Sequence, residues 1–214
     1  MIIAMDGPAG AGKSTISRML AEALGFVRLD TGALYRAVAL AAIRAGVPST
    51  DGPRLAALLD DLDLGYDGSV WLDGENVDRE IRSPEASAAA SEYAAVPEVR
   101  AGLLALQRRL GRARDTILDG RDIGTVVFPD ADVKIFLTAS ASARAGRRHA
   151  ELVSTGHEAE LAVVLAEIVA RDKADMERAV APLRQAEDAV LVDATHLNPA
   201  EVVAACRALV AAAR

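Results

Sequence analysis

Residues 1–16 read MIIAMDGPAGAGKSTI, and no other stretch limits the possible folds as tightly. A short apolar run ends in a turn almost bare of side chains, followed at once by a lysine and two hydroxyls. Gly7, Gly12, Lys13 and Ser14 fit the pattern G-x-x-x-x-G-K-[ST], with a predicted strand before it and a predicted helix after it. Small residues at Gly7, Pro8, Ala9, Gly10, Ala11 and Gly12 let backbone N–H groups curl around an anion that larger side chains would block. The helix beginning near Lys13 points its positive end at the same place. Lys13 is expected to reach the β- and γ-phosphates of ATP or GTP, Ser14 to offer its hydroxyl to Mg²⁺, and Thr15 to help at the α-phosphate. This loop predicts nucleotide binding. It leaves ATPases, switches and kinases open.

The remaining apolar runs place the loop in an α/β frame. MIIAM, FVRLD, TILDG, DVKIFLTA and AVLVDAT read as strands, and helical periodicity fills most of the chain between them. Strands without polar alternation imply a parallel sheet covered by helices on both faces. Gly25 and Gly46 are expected to end the first two helices, and Asn198 with Pro199 to start the last. VPSTDGP reads as a linker. Beyond it the character changes, with short antiparallel strands expected around the DG turns of LDLGYDGSVWLDG and a helix starting at Ser83 and Pro84. Residues 53–92 therefore read as an insertion beside the main sheet, between a core of 1–52 and a core of 93–214.

Charge and cysteine content narrow the partners. A net charge of −7 argues against a general nucleic-acid surface. The single cysteine, Cys206, excludes a disulfide within the chain, and no run approaches the ~20 apolar residues of a membrane span. A cytoplasmic protein with neither membrane nor nucleic-acid partners is expected. His149, His157 and His196 show no metal-ligand spacing.

A kinase of phosphorylated small molecules must hold a second anion close to the first, which calls for arginines aimed at one cleft. Arg36, Arg100, Arg121, Arg144, Arg147, Arg148, Arg171 and Arg178 are candidates. Arg121 follows LDG at a strand end, where open α/β sheets bind ligands. Asp119 at the same edge suits the water shell of Mg²⁺. Arg171, Asp175 and Arg178 are spaced four and three apart and share one face of a helix. On spacing alone they are either an exposed ion-pair ladder or a clamp on phosphates.

Taken together, GPAGAGKST, LDTGALYRAVAL, DGRDIGTVVFPDADVKIFL and RDKADMERAVAPL resemble the motifs of the bacterial cytidylate kinases over nearly the whole chain. That resemblance implies a P-loop nucleoside monophosphate kinase fold: a five-stranded parallel sheet flanked by helices, a lid at about 144–157, and a monophosphate-binding region enlarged by the 53–92 insertion. It implies transfer of a phosphoryl group from ATP, with Mg²⁺, to CMP or dCMP by a monomer. By the same resemblance Thr31 and Tyr35 should lie near the nucleotide and Arg36 and Arg121 on the acceptor phosphate. Ser91, Arg100 and Asp122 should read cytosine, with Asp119 beside the substrate and the metal. Arg171 and Asp175 should contact sugar or phosphate, and Arg178 should face the transferring group. Arg144 and Arg148 should meet ATP from the lid. Lys13, Arg121, Arg171 and Arg178 are then the expected catalytic residues.

Overall fold

The computed structural model describes residues 1–213, the side chains of Pro84 and Ser87 aside. From β1 (Ile2–Asp6) the chain passes through the glycine loop into α1 (Lys13–Leu24), which ends on Gly25 in the left-handed region (φ 70°). Next come β2 (Val27–Asp30) and α2 (Thr31–Arg44), then α3 (Gly52–Asp61) and the short strands β3 (Leu64–Tyr66), β4 (Val70–Leu72) and β5 (Glu75–Asn76). The helices α4 (Pro84–Tyr93) and α5 (Pro97–Arg112) lead to β6 (Thr116–Gly120) and a π-helical turn at Ile123–Val127. The chain finishes with β7 (Val133–Thr138), α6 (Ala141–Ser154), α7 (Leu161–Glu177), β8 (Val190–Asp193) and α8 (Pro199–Ala212).

The main sheet has the order β2-β6-β1-β7-β8, and every pairing is parallel. β1 and β6 are central, and their side chains alternate between two cores as the pleat requires. Ile3, Met5 and Ile117 pack with Ile16, Leu20, Val202 and Cys206 of α1 and α8. Ala4 and Leu118 face the other way, onto Leu34, Val38, Leu103 and Phe128. Fully burying one such leucine contributes roughly 1.5–3 kcal/mol, so double coverage is what favours apolar strands here.

α2 is buried nearly all round, which explains its alanine-rich sequence. One side serves the sheet. The other, through Ala33, Ala37, Leu40 and Ala41, packs on Val70, Leu72, Val77 and Ile81. Those partners belong to or flank the antiparallel sheet β3-β4-β5, which turns at Gly68 (φ 112°) and Gly74 (φ 80°), as the DG signals predict.

Helix starts follow their caps. Ser83 accepts from Ala86 N–H, and Asn198 forms a reciprocal capping box with Glu201. Two boundaries differ from the sequence reading. α3 already begins at Gly52, because Asp51 accepts from Arg54 N–H and Pro53 lies in the first turn. α7 ends at Glu177, so Arg178 is its cap, with an extended ψ of 141°. Among the described residues no helix is long and apolar enough to cross a membrane.

Candidate active site

The loop from Gly7 to Gly12 joins the end of a central strand to the start of α1. At Gly7 (φ 149°) a Cβ would fall 1.9 Å from the Leu137 carbonyl oxygen, so glycine alone permits this approach to β7. Lys13 is buried, and its Nζ donates to Gly7 O at 2.6 Å and Pro8 O at 2.7 Å. Burial first, then the charge of Arg121, pulls its pKa well below the lysine range. Ser14 and Thr15 are exposed at the mouth of the loop, where Ser14 Oγ reaches Asp119 Oδ2 at 3.3 Å.

Asp119, buried at the end of β6, organises the ground beneath Ser14. It accepts from Ser17 Oγ at 2.8 Å and from Arg28 Nε at 2.9 Å. Burial and the neighbouring Asp30 carboxylate push its pKa up, against the pull of Arg28. Arg28 also reaches Asp30, as does Arg36, each at 3.3 Å. For Asp30 burial is outweighed by Arg36 and Arg28 together, so its pKa falls. Asp30 also caps α2 through Ala33 N–H, and Thr31 Oγ1 donates to the Asp119 carbonyl at 2.8 Å. A continuous polar chain thus runs from the loop's first hydroxyl to Arg36.

Beyond it lies a cluster of guanidinium groups. Arg121 Nε donates to Asp175 Oδ2 at 2.7 Å. Arg171 is pushed below the arginine range by burial and then by the charge of Arg121, with Arg36 and Arg148 adding to it. Both Arg171 Nε and Arg36 Nε are buried without a hydrogen-bond partner among the described residues. Arg100 pairs with Asp122, which Arg178 also approaches at 3.4 Å, and the Arg100 guanidinium lies 5.6 Å from the centre of the Tyr35 ring. Burial holds the Asp122 pKa up despite these cations. The exposed-ladder reading of Arg171, Asp175 and Arg178 is excluded: Asp175 is buried and gives its carboxylate to Arg121 of another element.

Residues 3–212 match the protein family described as Cytidylate kinase. The chain belongs to that family. It is 51% identical over 208 residues to the cytidylate kinase of Syntrophotalea carbinolica, covering 95% of this chain and 88% of the relative. It is 50% identical to the cytidylate kinase of Symbiobacterium thermophilum, with 95% and 92% covered. Among solved structures, the fold alone is shared with a gluconokinase from Sinorhizobium meliloti (TM-score 0.51, 19% identity, 98% of this chain and 91% of that one). A shikimate kinase from Bacteroides thetaiotaomicron shares it too (TM-score 0.51, 14% identity, 99% and 98%).

In this cytidylate kinase family chain the two α6 arginines sit differently. Arg144 is buried, and its nitrogens donate to Ala139 O at 2.8 Å, Ala9 O at 2.9 Å and the Asp172 carboxylate at 2.6 Å. It therefore braces the phosphate loop from behind. Arg148 is half-exposed and pairs with Glu151 on its own helix. Ser91 lies half-buried on α4. Sequence reasoning missed Asp6, Ser17, Arg28 and Asp172. Arg28 carried one signal, a cation inside an apolar strand, but its partner is 91 residues away.

Proposed function

We propose that this chain transfers the γ-phosphoryl group of ATP to CMP or dCMP, giving ADP and CDP or dCDP. The observation that carries the reading is the pair of buried Nε atoms on Arg36 and Arg171 without a partner among the described residues, clustered with Arg121, whose charge also acts on Lys13 of the phosphate loop. Buried donors without acceptors are costly, and an acceptor phosphate supplies them with oxygens. The same anion offsets the burial, and after it the repulsion from Arg121, that depress Arg171.

In this reading ATP lies in residues 7–15. Arg36, Arg121 and Arg171 hold the acceptor phosphate, and Asp175 keeps Arg121 aimed and takes a sugar hydroxyl. Tyr35 and Thr31 bound the nucleoside pocket, Ser91 and Arg100 contact the base, and Asp122 accepts from the cytosine amine, a donor that uracil lacks. Residues 53–92 form the acceptor region, and 144–157 the lid, from which Arg148 reaches ATP while Arg144 supports the loop.

Ser14 Oγ would hold Mg²⁺, a hard cation that takes few protein oxygens, and the Asp119 carboxylate 3.3 Å away, already bonded to Arg28 and Ser17, suits its water shell. When bound it neutralises phosphate oxygens. The nucleophile is an acceptor phosphate oxygen, already ionised near neutral pH, so the residues work by alignment and charge. Lys13 and Arg178 stabilise the charge of the group in transit, and lid closure excludes water as a competing acceptor.

A coupled ADP-release assay across the nucleoside monophosphates tests the proposal. CMP and dCMP should drive turnover well above UMP and AMP, and Arg121→Ala should abolish most of it. Equal rates with all four acceptors would remove the cytosine assignment. Slow ATP hydrolysis indifferent to any acceptor would remove the kinase assignment.

A further inference from the structure

Asp6 is the last residue of β1, buried between the sheet and the turn that follows β6. Its two carboxylate oxygens are both used. Oδ1 accepts the Ile123 N–H at 2.8 Å, and Oδ2 accepts the Gly124 N–H at 2.7 Å. These are the first amides of the π-helical turn, the donors that a helical segment cannot satisfy from within. The residue after Asp6 is Gly7, where the phosphate loop begins. The residues before Ile123 are Arg121 and Asp122.

We propose that Asp6 is a positioning residue, whose carboxylate locks the turn carrying Arg121 and Asp122 in register with the phosphate loop. Main-chain pairing alone does not do this. It joins Asp6 to Gly120 in the sheet, and the ladder stops there. Past the strand end the turn sets where the backbone of Arg121 and Asp122 lies, and their side-chain pairs with Asp175 and Arg100 form from that position. A carboxylate with two fixed acceptors sets both the distance and the rotation of that turn.

Gly124 completes the fit. A Cβ at this position would come 3.4 Å from Asp6 Oδ2 and 3.2 Å from Cδ of Lys134, the β7 residue whose ammonium is held by Pro129 O and Asp188. The turn is therefore clasped between β1 and β7. Phosphoryl transfer needs both substrates aligned, and a misplacement of about 1 Å costs on the order of 10²-fold in rate. Asp6 touches no substrate in this scheme, which rests on the kinase reading above. It acts through the turn.

Two variants test the latch. Asp6→Asn is isosteric, but its amide nitrogen faces one of the two N–H donors. Gly124→Ala crowds the turn against the Lys134 stem and Asp6 Oδ2 and changes no residue of the phosphate loop. For each, kcat and KM with CMP are measured, along with binding of a non-hydrolysable ATP analogue without acceptor and the amide resonances of residues 121–127. Asp6→Asn should lose about 10²-fold in kcat/KM for CMP and Gly124→Ala a smaller but measurable part of that; both should bind the ATP analogue like the wild type and shift the Ile123 and Gly124 amides. The double variant should be little worse than Asp6→Asn alone. Wild-type kcat/KM in a folded variant would overturn the latch, as would an equal loss of ATP-analogue affinity. If Asp6→Asn does not fold, Gly124→Ala decides alone. A wild-type protein without CMP-dependent ADP release would instead sink the kinase reading.

Discussion

Arg28 of β2 lies along the Asp119 carboxylate of β6, with Nε 2.9 Å from Oδ1 and a terminal nitrogen 3.2 Å from Oδ2. The same terminal nitrogen is 3.3 Å from Asp30 Oδ2. One guanidinium thus holds apart two buried carboxylates, one beneath the phosphate loop and one beside Arg36.

Removing that cation should be expensive. Arg28→Leu leaves Asp119 and Asp30 facing each other, and breaking a buried pair from one side costs about 3–5 kcal/mol. Urea unfolding at neutral pH should show a loss of that order. Arg28→Lys should restore only part of it, because an ammonium cannot span two carboxylates with a planar fork. A wild-type midpoint for Arg28→Leu would contradict this.

Asp6 should leave a mark on the pH dependence of stability. Burial pushes its pKa up from 3.8 to about 6, against the two N–H bonds it accepts. Between these values the folded chain holds a proton that the unfolded chain has released. The Asp6 contribution is therefore full below pH 3.8 and is lost as pH rises through 6, by about 3 kcal/mol in all. The unfolding free energy of the wild type minus that of Asp6→Asn should fall from pH 4 to 6 and level off above 7. A difference that rises over that window would reverse the assignment.

Acceptor choice should depend on Asp122. Asp122→Asn presents an amide where the cytosine amine needs an acceptor, and each mismatched contact is worth about 1–3 kcal/mol. kcat/KM for CMP should drop by about 10–10²-fold while that for UMP holds or improves. Parallel losses for both acceptors would show that Asp122 serves only to anchor Arg100 and Arg178.

Lys13→Met keeps the length and loses the charge. It should lower kcat by about 10²–10³-fold, the usual effect of deleting one donor to the transition state. Stability should be little changed or slightly higher, because a desolvated ammonium is removed. Near-normal turnover would remove Lys13 from the chemistry.

Cys206 should be inert in the folded protein. It is fully buried under the sheet, and burial pushes its thiol pKa up to about 11. A thiol reagent at pH 8 should label it only as fast as the chain unfolds, and promptly in urea. Rapid labelling of the native protein would show that α8 does not close over that face.

The candidate site was legible in proportion to how local its signals are. The loop announced itself because its pattern, strand and helix occupy consecutive residues. Arg36, Arg121 and Arg171 could be named as a group, but the sequence shows neither which Nε atoms lack partners nor that Asp175 turns to Arg121. The resemblance puts Arg144 at ATP, and only the tertiary structure shows that it donates to three acceptors, one of them the loop carbonyl of Ala9. The turn at Ile123–Val127 carried no periodic signal, because it is a single turn held by an acid from another strand.

Helical and strand periods, caps and glycine turns are written within a few residues of one another, since they arise from backbone sterics and nearest-neighbour hydrogen bonds. From those alone follow the parallel α/β frame, the small antiparallel sheet and the phosphate loop at the end of β1. Tertiary structure decided the rest. Arg28 meets Asp119 across 91 residues and Asp6 meets Ile123 across 117. A charge gains or loses most by burial, and burial exists only once distant segments have packed.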